Sequence, residues 1–272
     1  MRTILCISVL LFQPLPGFSQ DVSGRLEDHL VEYIQDVEVR LPAVLAIPGC
    51  SGVSLDSPST DQGGGSPTDP YFRRHYPKVA AVLRDEGYAV FLLDYHAAES
   101  VVSACLGEVT PTRIAEYVVT ALRRVAADPR VDREDIFIIG WSLGGAGLLR
   151  AVERLASERT PVSAAIAIYP GCAGMAPWSH DLPVHLFLGD ADDIAPAETC
   201  RSFVESLDSS LPVAVTSYPD ARHGFDLDEA PPMISTERGT TVGYNRTAAE
   251  SAWGNIREIL GRREGGADHS IR

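Results

Sequence analysis

Gly140-Trp141-Ser142-Leu143-Gly144 fits the pattern G-x-S-x-G, in which a serine occupies a sharp turn between a strand and a helix. The apolar run at residues 136–139 predicts a buried strand, and residues 146–155 predict a helix. The small residues that flank the serine let the backbone turn tightly, which raises its hydroxyl above the edge of the sheet. The backbone N–H of Leu143 would then face the position at which a substrate oxygen becomes negative.

Strand and helix patterns alternate on both sides of this segment. The predicted strands are residues 43–47, 88–93, 136–139, 164–168, 184–188 and 213–218, and the predicted helices are residues 77–86, 112–127, 146–155, 197–207 and 246–260. The order predicts an α/β fold with a mostly parallel central sheet and helices on both faces. Ligands of such sheets bind beyond the carboxyl ends of the strands, so we expect the site there.

Composition is that of a globular protein, since the chain has 272 residues of which 45% are hydrophobic and 22% charged. This length suits one large domain. The formal net charge of −14 argues against nucleic acid and anionic membrane surfaces as partners. We also expect no membrane span, because no apolar run reaches the roughly 18 residues that a span needs.

The first 19 residues resemble an export signal. Arg2 gives a basic start, residues 4–12 are apolar, and Ser19 or Gln20 suits a cleavage site. We therefore expect a signal peptide at residues 1–19, a single domain at residues 20–272, and a periplasmic or extracellular location. The alternative is that the segment forms an N-terminal strand or helix of the domain.

Cysteine usage fits an oxidising compartment. Cys6 would leave with the signal, and Cys50, Cys105, Cys172 and Cys200 would remain. Four cysteines allow three pairings, and their positions alone do not choose among them. Because no C-x-x-C or other tight His/Cys cluster occurs, we expect neither a metal nor another cofactor.

A serine nucleophile needs a histidine base, and in this architecture the chain order is serine, acid, histidine. Four histidines follow Ser142. His223 comes after the last predicted strand in a turn of small and polar residues, and it is the predicted base. His180 lacks a strong acid candidate between it and the serine, His185 lies within a strand, and His269 lies in the tail.

The acid should follow the strand at residues 184–188. Asp192 is the predicted partner of the histidine, because its carboxylate can reach back from one turn beyond the strand end. Asp193 is an alternative that could instead cap the next helix. Asp190 and Asp181 are weaker alternatives.

The second donor to a substrate oxyanion should come from the loop after the strand at residues 43–47. Pro48 has no N–H and Gly49 makes the turn, so the predicted donor is the amide of Cys50, acting together with that of Leu143.

With these residues the chain resembles the dienelactone hydrolase family of α/β-hydrolases. The resemblance rests on Pro42-Ala43-Val44-Leu45, Gly49-Cys50-Ser51-Gly52, Gly87-Tyr88-Ala89-Val90, Asp94-Tyr95, Asp128-Pro129-Arg130-Val131-Asp132, the Ser142 segment, Tyr169-Pro170-Gly171-Cys172, residues 189–196 and His223-Gly224-Phe225. It implies an α/β-hydrolase fold, a triad of Ser142, Asp192 and His223, an oxyanion hole from Cys50 and Leu143, and disulfides Cys172–Cys200 and Cys50–Cys105. The namesake enzymes carry cysteine where this chain has Ser142, which favours a serine esterase.

We therefore expect a serine hydrolase that cleaves a small-molecule carboxylic ester or lactone through an acyl-enzyme. A peptidase or amidase of the prolyl-peptidase type and a binding protein without catalysis are the alternatives. The loops at residues 51–70, 96–111 and 226–244 should determine specificity. Oligomeric state is left open.

Overall fold

The computed structural model describes residues 28–53, 69–236 and 238–261, together with residues 22, 24 and 26. The predicted export signal, His269 and the central part of the predicted 51–70 loop lie outside the described residues.

A seven-stranded sheet forms the centre of the described domain. Its strands are β1 (Leu30–Tyr33), β2 (Leu41–Ile47), β3 (Ala89–Leu93), β4 (Val131–Trp141), β5 (Ala164–Ile168), β6 (Val184–Gly189) and β7 (Val213–Tyr218). They lie in the order β1-β3-β2-β4-β5-β6-β7, and every neighbouring pair is parallel except β1 with β3. The mostly parallel sheet is confirmed. Sequence patterning missed β1, because it has four residues and none is fully buried.

Helices cover both faces of the sheet, as predicted. They are α1 (Asp69–Asp85), α2 (Tyr95–Ala98), α3 (Pro111–Ala127), α4 (Ser142–Ser157), α5 (Ala197–Glu205) and α6 (Arg246–Leu260). Buried residues of α3, α4 and α5 pack on one face, and those of α1 and α6 pack on the other. No helix in the described part of the chain is long and apolar enough to cross a membrane.

Strand β2 shows why the sheet is fully enclosed. All seven of its residues are buried. Ala43, Leu45 and Ile47 face the layer of α3, α4 and α5, whereas Val44 and Ala46 face the layer of α1 and α6. A continuous apolar run therefore belongs to a parallel strand with helices on both sides.

The start of α1 corrects one prediction. The pattern placed the first turn at Pro77, but the helix begins at Asp69 and contains Pro77 in its interior. An internal proline removes one helical hydrogen bond. Phe72 and Tyr76, which precede the proline, are buried against the sheet, and their burial offsets that cost.

A small hairpin corrects a second prediction, the irregular loop at residues 226–244. Strands β8 (Ile234–Ser235) and β9 (Thr241–Val242) pair antiparallel within it. Two-residue strands carry too few side chains for an alternating pattern, so periodicity does not find them. The hairpin matters because Val242 forms a bridge with His223.

Candidate active site

Ser142 stands at the junction of β4 and α4. Its φ is +49°, in the left-handed region that residues other than glycine rarely adopt. A β-carbon at Gly144 would lie 2.2 Å from the carbonyl oxygen of Pro48, so only glycine fits where α4 passes the end of β2. The strained serine and the close-packed glycine have the geometry of a nucleophile elbow.

His223 is buried in the turn that follows β7. Its Nε2 lies 2.8 Å from Oγ of Ser142. The Gly243 N–H donates to the His223 carbonyl at 3.1 Å, which ties the histidine backbone to the hairpin. The Tyr169 ring packs on the imidazole with 4.7 Å between centroids. Backbone and ring contacts thus hold the imidazole beside the serine hydroxyl.

Asp192 lies on the far side of the imidazole. Its Oδ2 is 2.8 Å from Nδ1 of His223, and its Oδ1 accepts the backbone N–H groups of Ile194 and Ala195 at 2.9 and 2.8 Å. Since the carboxylate accepts at both oxygens, Nδ1 carries the hydrogen and donates it. Nε2 is then the lone-pair nitrogen, which can accept the hydroxyl proton of Ser142.

The other aspartates considered have different surroundings. Asp190 forms an ion pair with Arg201, and Asp193 accepts the N–H of Thr241 at 2.8 Å. Asp181 is exposed in the loop before β6. Of the four candidate acids, the structure brings Asp192 to the histidine.

Of the other histidines that follow Ser142, His180 and His185 lie within the described residues. The Leu182 N–H donates to Nδ1 of His180 at 3.2 Å, and the His180 ring stacks on Trp178. His185 lies within β6, where burial lowers its pKa. Both are held by their local surroundings, and His223 is the histidine that contacts Ser142.

The two predicted oxyanion donors start from neighbouring elements. Leu143 is the second residue of α4, so its N–H is among the first four, which have no partner inside the helix. Cys50 follows β2, and β2 pairs with β4 so that Ile47 lies opposite Gly140. Among the described residues, no backbone carbonyl accepts the Cys50 N–H. Both groups are therefore available at the same edge of the sheet.

Two disulfides brace this edge, and they are the pairs that the family resemblance implied. Cys50–Cys105 joins the loop after β2 to the loop between α2 and α3. Cys172–Cys200 joins the loop after β5 to α5, the helix that follows Asp192. Each bridge restrains a segment that carries one of the predicted site groups.

Sequence patterning missed Asp226, a buried carboxylate bonded to Tyr169, the tyrosine whose ring packs on His223. Asp226 accepts hydrogen bonds from Tyr169 Oη at 2.7 Å and Trp141 Nε1 at 3.0 Å, and it lies 3.1 Å from His75 Nε2. Burial raises its pKa, but the nearby His75 and these hydrogen bonds outweigh burial, so the net shift is downward. Its position three residues after His223 was the available signal, but its partners come from β4, α1 and the loop after β5, which are far apart in the sequence.

A cavity of about 220 Å³ lies between α1 and α6. Its lining includes His75, Asp226 and Trp253, but not the side chains of the predicted triad. No cluster of potential metal ligands occurs in the part of the chain that the structure describes.

The order of the strands, the helix layers on both faces and the sharp turn at Ser142 define the α/β-hydrolase fold. Solved structures agree with this fold. A dienelactone hydrolase-like promiscuous phosphotriesterase from metagenomic libraries aligns with a TM-score of 0.59 at 17% identity, over 84% of this chain and 90% of that chain. An α/β-hydrolase enzyme from a Medee basin deep-sea metagenome library aligns with a TM-score of 0.53 at 19% identity, over 85% and 92%. At these identities the likeness concerns the fold.

The family follows from the sequence match. The model of the dienelactone hydrolase family matches residues 73–263, and the chain belongs to this family. It is also 35% identical over 95 residues to Cutinase 1 of Thermobifida cellulosilytica, which is 35% of each chain. The chain thus matches about a third of the length of that curated relative.

Proposed function

We propose that this protein is a serine hydrolase that cleaves carboxylic esters or lactones through an acyl-enzyme on Ser142. The observation that carries the proposal is the continuous chain of contacts at His223, with 2.8 Å to the serine on one side and 2.8 Å to Asp192 on the other. A serine hydroxyl is a weak nucleophile unless a base in this position removes its proton. Family membership and the cutinase match support ester hydrolysis.

In the proposed first half-reaction, Oγ of Ser142 attacks the ester carbonyl carbon while Nε2 of His223 takes the hydroxyl proton. The Cys50 and Leu143 N–H groups stabilise the oxygen that becomes negative. Asp192 holds the imidazole in its Nδ1–H form and stabilises the imidazolium. The tetrahedral intermediate then expels the alcohol, which receives the proton from His223.

In the second half-reaction, water replaces the alcohol. His223 removes a proton from the water as its oxygen attacks the acyl carbon. The new intermediate collapses, the bond to Oγ breaks, and the proton returns to Ser142 from His223. The products are a carboxylic acid and an alcohol, or one hydroxy acid where the substrate is a lactone.

Exposed apolar side chains support a substrate with an apolar part. Val102 and Leu106 are 70% and 78% exposed in the loop that the Cys50–Cys105 disulfide ties to the site. Ile194, two residues after Asp192, and Met233, beside the hairpin that contacts His223, are also exposed. Apolar side chains exposed on loops beside a site can contribute to a ligand-binding surface. An ester with an alkyl or aryl group suits these loops better than a highly charged one.

The two disulfides also support a location outside the cytoplasm, where such bonds persist. We propose on this ground that the enzyme acts in an exported form.

Replacement of Ser142 tests the proposed function. Ser142→Ala should reduce the turnover of a nitrophenyl butyrate by about 10⁵-fold or more, because the acyl-enzyme cannot form. Ser157→Ala is the matched control, since Ser157 is the last residue of the same helix, and it should retain wild-type turnover. The proposal fails if Ser142→Ala keeps its activity. A panel of esters, lactones and anilides then ranks the substrate classes, and faster cleavage of anilides would favour an amidase.

A further inference from the structure

Tyr95 is a buried tyrosine at the carboxyl end of β3, and the triad does not use it. Asp94 caps α2 by accepting the N–H of Ala97, and Tyr95 is the first residue of that helix. The Tyr95 hydroxyl donates to the carbonyl oxygen of Gly49 at 2.9 Å. We propose that Tyr95 is a positioning residue that fixes the direction of the Cys50 N–H in the oxyanion hole. The inference rests on the proposed function.

Peptide geometry gives the first step of the argument. The carbonyl of Gly49 and the N–H of Cys50 belong to the same peptide unit, and the described part of the chain contains no cis peptide bond. In a planar trans peptide the oxygen and the hydrogen point in opposite directions. A hydrogen bond that anchors the Gly49 oxygen therefore also fixes where the Cys50 hydrogen points.

Close packing at Gly49 gives the second step. A β-carbon there would lie 3.2 Å from Cβ of Ser142 and 2.7 Å from the hydroxyl of Tyr76. The peptide unit thus lies directly against the nucleophile elbow, with no room for a side chain. A rotation of this peptide would move the Cys50 N–H relative to the serine while leaving the triad in place.

The far side of Cys50 is held as well. Its carbonyl accepts the N–H of Ala104 at 2.8 Å and lies 3.1 Å from Nε2 of His96. Its side chain is bonded to Cys105. Tyr95 therefore supplies the anchor on one side of the donor peptide, and these contacts anchor the other side.

The tyrosine is suited to a permanent donor role. Its ring is fully buried and stacks on His96 with 3.9 Å between centroids. Burial, together with nearby Tyr76 and Asp94, raises its pKa well above the usual value, so the hydroxyl keeps its proton. A Cys50 N–H that is held in position before the reaction stabilises the developing oxyanion without reorganisation.

Tyr88 provides a matched control at the other end of the same strand. It is buried, it precedes β3, and its hydroxyl donates to the carbonyl of Leu260 at 3.0 Å. Tyr95→Phe and Tyr88→Phe therefore remove the same group, each from a bond to a backbone carbonyl. Only Tyr95→Phe releases a peptide of the proposed oxyanion hole.

The experiment compares the two variants with the wild-type enzyme on nitrophenyl butyrate, and it measures the inhibition constant of phenylboronic acid. Boronic acids add to the serine and imitate the tetrahedral intermediate. For Tyr95→Phe we expect kcat to fall about 10-fold, less than the 10²-fold or more seen when an oxyanion donor is removed, with KM within about twofold. The boronate inhibition constant should rise by the same factor. Tyr88→Phe should change none of the three.

Two results overturn the inference. One is a Tyr95→Phe enzyme with the kcat and boronate affinity of Tyr88→Phe, and the other is a loss that appears in KM alone. Thermal unfolding of both variants separates a general loss of folding from a loss at the site. Failure of the proposed function is distinguishable, because Ser142→Ala would then remain active whatever Tyr95→Phe does.

Discussion

The carboxyl and amino edges of the same sheet are held by different interactions. At the carboxyl edge, Ser142, Tyr169 and Asp220 adopt positive φ within two residues of a strand end. Both disulfides restrain loops at this edge. At the amino edge, Arg130 precedes β4 and pairs with Glu32, both of them about half-exposed, and with the less exposed Asp128. Ion pairs of this kind contribute little to stability.

The difference shows that the fold places its strained backbone, and the disulfides that restrain it, at the carboxyl edge. Each left-handed residue costs on the order of 1 kcal/mol or more, and such residues persist only where their surroundings determine them. Each disulfide contributes about 2–4 kcal/mol, which offsets part of that cost. We therefore expect changes of the candidate site residues at the carboxyl edge to reduce turnover, and changes of buried core residues away from that edge to reduce stability.

The largest expected effect is on turnover, at the carboxyl edge. Asp192→Asn should lower kcat about 10⁴-fold, because the amide no longer holds the imidazole with its hydrogen on Nδ1. Asp193→Asn, one residue away, should change kcat by less than about threefold, since Asp193 contacts Thr241 instead. Steady-state kinetics on nitrophenyl butyrate measure both. Equal losses in the two variants would contradict the assignment of the acid.

A change in the core nearer the amino edge should reduce stability and leave turnover nearly unchanged. Ile136 is fully buried in β4, about 17 Å along the strand from its carboxyl end. Ile136→Ala should lower the free energy of unfolding by about 2–5 kcal/mol, through lost burial and a new cavity. Its kcat should stay within twofold at temperatures where the variant is folded. Denaturant unfolding and kinetics together test this, and a kcat loss without destabilisation would contradict the contrast.

The smallest expected effect concerns pH. Burial lowers the pKa of His96 from 6.5 to about 4, although its bond to the Cys50 carbonyl partly offsets burial. Between these values the unfolded chain binds a proton that the folded chain does not. The contribution of His96 to the free energy of unfolding is therefore fully present above pH 6.5 and declines as pH falls toward 4.

From pH 7 to pH 5 this histidine alone should lower the free energy of unfolding by about 2 kcal/mol. His96→Gln removes the titration and keeps an N–H that can reach the Cys50 carbonyl. Urea unfolding at both pH values should show a smaller loss in the variant by that amount. Equal losses in the variant and the wild-type protein would show that His96 does not titrate differently on folding.

Much of the fold could be predicted because its strands are buried on both faces. Runs such as residues 164–168 are apolar throughout, and they correspond to a strand with the same bounds. Elements that depend on contacts between distant segments could not be predicted this way. Strand β1 is defined by its pairing with β3, and α1 passes through Pro77 because tertiary packing outweighs the local signal.

For the candidate site, chain order and strand ends were enough to select Ser142, Asp192 and His223, which the structure brings into contact. Their catalytic roles stay a prediction. Tyr95 and Asp226 were missed as site residues because their positions near a strand or loop end say nothing about their partners. Tyr95 meets Gly49 across 46 residues, and Asp226 meets Trp141 across 85. Such buried hydrogen bonds are visible only once the chain is folded.

Labelling with a fluorophosphonate tests the central claim most directly, because the reagent attaches to a serine that a neighbouring base has activated. Peptide mapping should place a single adduct on Ser142. The labelling rate should fall by about 10³-fold or more in His223→Ala and stay unchanged in His180→Ala, the matched histidine control. An adduct on another residue, or equal labelling rates in His223→Ala and the wild-type protein, would contradict the account.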